Sequence, residues 1–187
     1  MNQIIEIEYK ILLTKDIYNQ ILNDYQKQIH KDYIQTNYYL THPLLQQRAY
    51  MLRIREKNNE LEMTLKRPYQ GHRLETNIPI TYEDKQRIIH HQMINNEIID
   101  ILQNEGIDPL SLQQLFSLTT HRHDIPLDYG ILSLDKNTYL NQTDYELEFE
   151  VTDEQKGYEM FLKIIEPYHL QYHGNCKSKI RRVLDSL

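Results

Sequence analysis

Five segments of this chain place a charged or polar side chain at every second position, and that alternation limits what the chain can fold into. In a strand, residues i, i+2 and i+4 point to one side and the residues between them to the other. Glu6, Glu8 and Lys10 therefore share a face against Ile5, Ile7, Tyr9 and Ile11. Arg53, Arg55 and Lys57 oppose Leu52 and Ile54, while Glu62, Thr64 and Lys66 oppose Met63 and Leu65. Arg73, Glu75 and Asn77 oppose Leu74 and Thr76, and Asp144, Glu146, Glu148 and Glu150 oppose Tyr145, Leu147, Phe149 and Val151. A helix, with about 3.6 residues per turn, would scatter these charges around its axis. An antiparallel sheet with one apolar and one polar face sorts them.

The same pattern, with β-branched and aromatic content, marks strands over 2–13, 35–41, 49–57, 60–67 and 72–80. Further strands fall near 113–123, 127–136 and 143–151, which makes eight. Three helices are expected: 15–29 after Thr14, 82–104 after Thr81, and 154–166 after Thr152 or Asp153, stopped by Pro167. The basic tail over 172–184 adds a strand or a short helix. No repeat or Gly/Ser-rich linker interrupts the chain, so a single domain over 1–187 is expected. Long antiparallel strands with few helices indicate an α+β, mainly antiparallel architecture, a barrel or a strongly curved sheet.

Composition narrows the function classes. A hydrophobic share of 40% over 187 residues supports a sizeable core. A net charge of -6 argues against general adhesion to nucleic acid. The mean hydropathy of -0.69, without a long apolar run, argues against a membrane span. The N-terminal residues lack a signal-peptide pattern, and the single cysteine, Cys176, has no internal partner for a disulfide. A cytoplasmic, reducing compartment is therefore expected. Lys177 beside Cys176 would lower the thiol's pKa.

For any one of these strands, a solvated face explains the charges. The set is harder to explain that way. Glu146, Glu148 and Glu150 stand in a row, and like charges ~7 Å apart repel by ~2 kcal/mol at an effective dielectric of about 20. Arg53 and Arg55 repeat the problem with the opposite sign. A divalent cation relieves the first row, because hard cations take several carboxylate oxygens. A polyphosphate relieves the second, because Arg matches phosphate oxygens in pairs and Lys supplies a point charge. Together they describe a metal–triphosphate site. His121 with His123, and His169 with His173, have ligand-like spacings, but no cysteine cluster accompanies them and a structural zinc site is not expected. His90 and His91 read as solvated, and the 15 tyrosines as packing residues rather than base-stacking ones.

Glu6-Ile7-Glu8-Tyr9-Lys10 resembles the Glu-x-Glu-x-Lys signature of the CYTH superfamily, the triphosphate tunnel metalloenzymes. Asn37-Tyr38-Tyr39, Leu52-Arg53-Ile54-Arg55, Thr64-Leu65-Lys66 and Glu75 resemble the following strands of that family in order. Arg122, Leu134-Asp135, Glu146-Leu147-Glu148-Phe149-Glu150 and Ser178-Lys179 with Arg182 complete the resemblance over nearly the whole chain. Leu40-Thr41-His42 stands where the family often carries an Asp, and Lys136 follows Asp135 with no face assigned.

The resemblance implies an eight-stranded, closed, tunnel-like barrel with helices packed outside, and metal-dependent hydrolysis of inorganic triphosphate or a small organic triphosphate. It implies Mg²⁺ or Mn²⁺ held by Glu6, Glu8, Glu148 and Glu150, with Asp135 and Glu146 as further ligands or supports. Lys10, Arg53, Arg55, Lys66, Arg122, Lys179 and Arg182 would hold the triphosphate, and Glu75 would touch it or orient a neighbouring cation. Glu8, Lys10 and Glu148 are the expected catalytic residues. The alternatives within this reading are an adenylyl cyclase, converting ATP to cyclic AMP, and a non-catalytic polyphosphate or nucleotide binder.

Overall fold

The computed structural model describes residues 2–186, except for the side chains of residues 2 and 3. The fold is α+β and mainly antiparallel, with nine strands among the described residues rather than eight. The extra strand comes from the N-terminal segment, expected to be one strand over 2–13. It divides into β1 (Asn2–Glu6) and β2 (Glu8–Leu13), which pair with different partners. The remaining strands are β3 (Lys31–Thr41), β4 (Met51–Lys57), β5 (Glu60–Tyr69), β6 (His72–Ile80), β7 (Gln113–Leu127), β8 (Gly130–Tyr139) and β9 (Gln142–Val151).

The chain forms two compact units, and β3 and β7 contribute residues to both. The first unit comprises the residues up to Glu6 with Gln35–Leu118, and the second comprises Ile7–Ile34 with the residues from Thr119 onward. In the first unit β1 pairs with β6, β6 with β5, β5 with β4, and β4 with β3, all antiparallel. Two of its hairpin turns carry positive φ at both central residues, Asn58 and Asn59 at 51° and 63°, and Gln70 and Gly71 at 46° and 84°. Such turns match the twist of the strands they join.

The apolar face of the first unit holds Leu52, Ile54, Met63 and Leu65, packed with Ile98, Ile99 and Leu102 of α4 (Glu97–Asn104). Each such side chain, fully buried, stabilises by about 1.5–3 kcal/mol. The expected single helix over 82–104 is a second correction: α3 (Tyr82–Ile89) ends and α4 begins after an irregular stretch. Each helix has its own cap. The Thr81 hydroxyl accepts from Asp84 N at 3.0 Å while the Asp84 carboxylate accepts from Thr81 N at 2.9 Å, and Asn96 Oδ1 accepts from Ile99 N at 3.0 Å. Between them His91 adopts a φ of 56°, which no continuing helix allows. The unanticipated short helix α2 (Pro43–Gln47) is capped by His42, whose Nδ1 accepts from Leu44 N at 3.1 Å. His42 thus serves the backbone.

In the second unit β2 pairs with β9, β9 with β8, and β8 with β7, again antiparallel. Helices α1 (Lys15–Tyr25) and α5 (Glu154–Ile165) cover its apolar face, where Ile21 and Phe161 meet Leu132, Leu134, Leu147 and Phe149. Thr14 and Asp153 cap these helices. Gly157 of α5 sits so close to β9 that a Cβ there would lie 2.6 Å from the Val151 side chain. The tail forms α6 (Lys179–Leu184), capped by Ser178. No described helix is long and apolar enough to cross a membrane.

Candidate functional site

In the first unit, strand register puts Arg53, Thr64, Lys66, Glu75 and Asn77 on one face, opposite the apolar core. β1 adds Glu6 to that face. Lys66 Nζ donates to both Glu6 carboxylate oxygens at 2.5 Å and lies 2.7 Å from Glu75 Oε2. Asn77 Nδ2 donates to Glu75 Oε1 at 2.8 Å, and Thr64 Oγ1 holds Asn77 Oδ1 at 2.8 Å. Burial opposes the Glu75 charge, but Lys66 and Arg53 outweigh it and bring the carboxyl down to about 2. Arg53 is buried and loosely matched. Its nearest carboxylate oxygen, on Glu75, is 3.8 Å from Nη2, and its Nε has no hydrogen-bond partner. Arg55 donates from Nε to Asn37 Oδ1 at 3.1 Å.

The second unit carries a denser cluster. Across the β7–β8 pair Arg122 faces Asp135, across β8–β9 Asp135 faces Glu146 and Ser133 faces Glu148, and across β9–β2 Glu148 faces Lys10. Arg122 donates twice to Asp135 and once more to Glu148. From α6, Lys179 Nζ lies 2.9 Å from Asp135 Oδ2, 3.3 Å from Glu146 Oε1 and 2.5 Å from Glu148 Oε1. Arg182, one turn further on, donates from Nε to Asp144 Oδ2 at 2.8 Å and pairs with Glu146 through Nη2. Lys10 pairs with Glu8. α6 therefore turns both of its expected site residues toward the sheet.

Five carboxylates (Glu8, Asp135, Asp144, Glu146, Glu148) meet four cations (Lys10, Arg122, Lys179, Arg182) in this cluster. The imbalance is resolved by a split between neighbours. Burial raises the pKa of Glu146, with Glu148 adding to the rise against the pull of Lys179. Burial also opposes the Glu148 charge, yet Lys179 and Arg122 hold that carboxyl well below the usual range. Burial likewise opposes the charge on Lys10, and Glu8, Glu148 and Glu146 overcome it. Glu150, two residues beyond Glu148, lies in an exposed position. Lys136 is exposed and lies across from His121, on the face opposite Asp135.

The Glu-x-Glu-x-Lys segment is divided by the break at Ile7. Glu6 joins the first cluster, while Glu8 and Lys10 join the second. One residue escaped the sequence reading. Asn175 Oδ1 accepts from Lys10 N at 2.8 Å and its Nδ2 donates to Glu8 O at 2.9 Å, so a side-chain amide serves β2 as a strand neighbour would. A lone Asn in a polar tail carries no pattern that announces this. Cys176 corrects another expectation. Burial, helped by Glu146, pushes its thiol up to about 12, and Lys177 instead pairs with Asp185 at 2.8 Å.

Residues 4–184 match the family described as CYTH domain. The chain belongs to the CYTH family. Over 185 residues it is 33% identical to a Bacillus subtilis (strain 168) protein named "Putative triphosphatase YjbK", covering 97% of this chain and 95% of that one. A Bacillus halodurans crystal structure, described as a putative adenylate cyclase, matches with a TM-score of 0.88 at 30% identity, covering 97% and 98% of the two chains. A Hippeastrum protein, described as a putative adenylyl cyclase with a dominant triphosphatase activity, matches with a TM-score of 0.80 at 22% identity, covering 97% and 96%, and speaks for the fold alone. Membership in the CYTH family implies a divalent metal, and the oxygen donors of Glu8, Asp135, Glu146 and Glu148 suit a hard cation.

Proposed function

We propose that this CYTH protein hydrolyses inorganic triphosphate or a small organic triphosphate with the help of Mg²⁺ or Mn²⁺. The observation that carries the reading is the arrangement around Glu148, where buried carboxylates and buried Lys and Arg groups neutralise one another. A structural core gains little from so many buried charges, since removing each from water costs several kcal/mol. A metal–triphosphate complex makes use of both signs at once. The carboxylates suit the cation and the ammonium and guanidinium groups suit the phosphate oxygens.

In this reading Glu8, Glu148 and Asp135 would hold the metal, with Glu146 beside them and Glu150 as a further candidate, while Glu6 offers a carboxylate of the same kind within the first unit. A divalent ion bound there would supply charge neutralisation and a water of lowered pKa. Lys10, Arg122, Lys179 and Arg182 bind phosphate by exchanging a carboxylate partner for a phosphate oxygen. Arg53, Arg55 and Lys66 offer the same chemistry in the first unit, where the unpartnered Nε of Arg53 suits an anion. Glu75 orients Arg53 and Lys66 through the contacts described. Protein cations placed before the reaction begins need no reorganisation as charge shifts between phosphate oxygens. The relative named as a triphosphatase supports hydrolysis, and Cys176, the lone thiol, fits a reducing compartment.

The relative described as an adenylate cyclase favours a second reading, ATP converted to cyclic AMP and pyrophosphate. One experiment separates the readings. The protein is incubated with Mg²⁺ or Mn²⁺ and with triphosphate, ATP or thiamine triphosphate, and phosphate, pyrophosphate and cyclic AMP are measured. Phosphate release is the expected result. Cyclic AMP would favour the cyclase, and tight metal-independent binding without product would favour a binder.

A further inference from the structure

Strand β7 carries ligand-type side chains on its other face as well. His121 and His123 flank Arg122 and point away from it, toward the side on which Ile125 joins the apolar core. From β3, Asp32 reaches the pair. Its Oδ1 lies 2.6 Å from His121 Nε2 and 3.5 Å from His123 Nδ1, and the imidazole centroids are 4.5 Å apart. One donor atom from each of the three residues lies within 4.8 Å of the others. The His123 side chain is only 7% exposed, and its Nδ1 has no hydrogen-bond partner. Leaving a buried imidazole nitrogen in that condition is unfavourable unless a ligand takes it up. Hydrophobic packing does not explain why it is turned toward a carboxylate and a second imidazole.

We propose that Asp32, His121 and His123 form a second metal site, selective for a borderline divalent transition ion of the Zn²⁺ class, with at least one position left to water. The donor set decides the class. Two imidazoles and one carboxylate suit Zn²⁺, Co²⁺, Ni²⁺ or Cu²⁺, whereas Mg²⁺ prefers oxygen alone. The all-oxygen carboxylate cluster has the opposite preference, so the two sites sort different ions. Ligand bonds of ~2.0–2.1 Å set donor atoms roughly 3.3 Å apart in a tetrahedral site. The His121–Asp32 contact must widen to reach that separation. Asp32 and His121 are 58% and 42% exposed, which leaves them room to do so, while buried His123 supplies the fixed anchor. Lys136, the exposed residue across from His121, can extend into water. Because Arg122 stands between the two histidines, a bound ion would also brace the strand that presents it.

Metal binding at the triad does not depend on triphosphate hydrolysis and can be measured without it. Metal-stripped full-length protein is dialysed against Zn²⁺ in the presence of excess Mg²⁺, and bound zinc is counted by atomic emission. The variants are His121→Gln and Asp32→Asn, both at accessible positions, with Glu148→Gln as the control for the carboxylate cluster. The wild type and Glu148→Gln should each retain one equivalent more than His121→Gln or Asp32→Asn. Zn²⁺ should raise Tm only in the proteins with the intact triad, and Co²⁺ should give them a visible absorption band that the two triad variants lack. Equal zinc content in wild type and triad variants, or zinc lost from Glu148→Gln but kept by His121→Gln, would overturn the proposal.

Discussion

Arg122 and Asp135 face each other across the β7–β8 pair in a two-pronged ion pair, with Nε to Oδ1 at 2.7 Å and Nη2 to Oδ2 at 2.6 Å. Asp135 has no exposed side-chain surface. Its other cation is Lys179, so one carboxylate aligns two of the groups assigned to phosphate. Asp135→Ala would leave Arg122 leaning on Glu148, and Lys179 on Glu148 and Glu146. A loss of about 3–5 kcal/mol in stability is expected, as for breaking a buried pair from one side. Denaturant unfolding of the variant checks this, and Asp135→Asn, which keeps the shape, should lose turnover with a smaller loss of stability.

Glu8→Gln keeps the volume of the side chain and removes one negative oxygen from the metal's donor set. Metal-dependent phosphate release should fall by ~10-fold to 100-fold or more, with Mg²⁺ affinity weakened in parallel. Circular dichroism should be unchanged. Chelation of the metal should reduce the wild type at least as far, and full activity in the variant would remove Glu8 from the site.

Asn175→Ala removes the amide that pairs with Lys10 N and Glu8 O. The edge of β2 then loses its side-chain neighbour while Glu8 and Lys10 themselves remain. A rise in the KM for triphosphate should exceed the change in Tm. Steady-state kinetics and thermal melting of the same sample provide the comparison, and an unchanged KM would limit Asn175 to a stabilising role.

The Glu75 carboxyl, held at about 2 in the fold, titrates near its ordinary value of 4.5 once unfolded. Between those values the unfolded chain binds the proton and the folded one does not, so stability rises with pH through that window. The contribution is present above pH ~4.5 and is lost as pH falls toward ~2. Melting curves of the wild type should show this acid slope. Glu75→Gln should be less stable at neutral pH and should lose part of the slope, and a slope identical to the wild type would count against the Lys66 and Arg53 contacts.

Gly157→Ala introduces a methyl group 2.6 Å from the Val151 side chain, close enough that α5 or β9 must move. Overpacking of this kind costs about 1–3 kcal/mol. Val151→Ala in the same chain should recover part of the loss, and a double-mutant cycle measured by urea unfolding gives the coupling. Strictly additive losses would show that the two residues do not meet.

The alternation at 53–57, 62–66 and 144–150 was legible because strand geometry is local, and each side chain's face follows from its parity. The helix caps at Thr14 and Thr81 were legible because capping is local too, and of Thr152 and Asp153 it is Asp153 that caps α5. The break at Ile7 was not. Nothing in Ile-Glu-Ile-Glu-Tyr-Lys distinguishes one long strand from two short ones, and pairing partners made the difference, β6 for one and β9 for the other. The division of 82–104 has a local signal in Asn96, an N-cap residue ahead of an apolar run.

By itself the sequence determined which side chains are polar-face and which are core, and through its motifs the family and the kinds of charge available. Only the tertiary structure decided who neutralises whom. Glu6 meets Lys66 while Glu8 meets Lys10, Asn175 braces β2 from a distant part of the chain, and Asp32 reaches His121 and His123 across 89 residues of sequence from the nearer one. Electrostatic and coordination partners are chosen by distance in space. Parity along a strand says which way a side chain points and nothing about what it will meet.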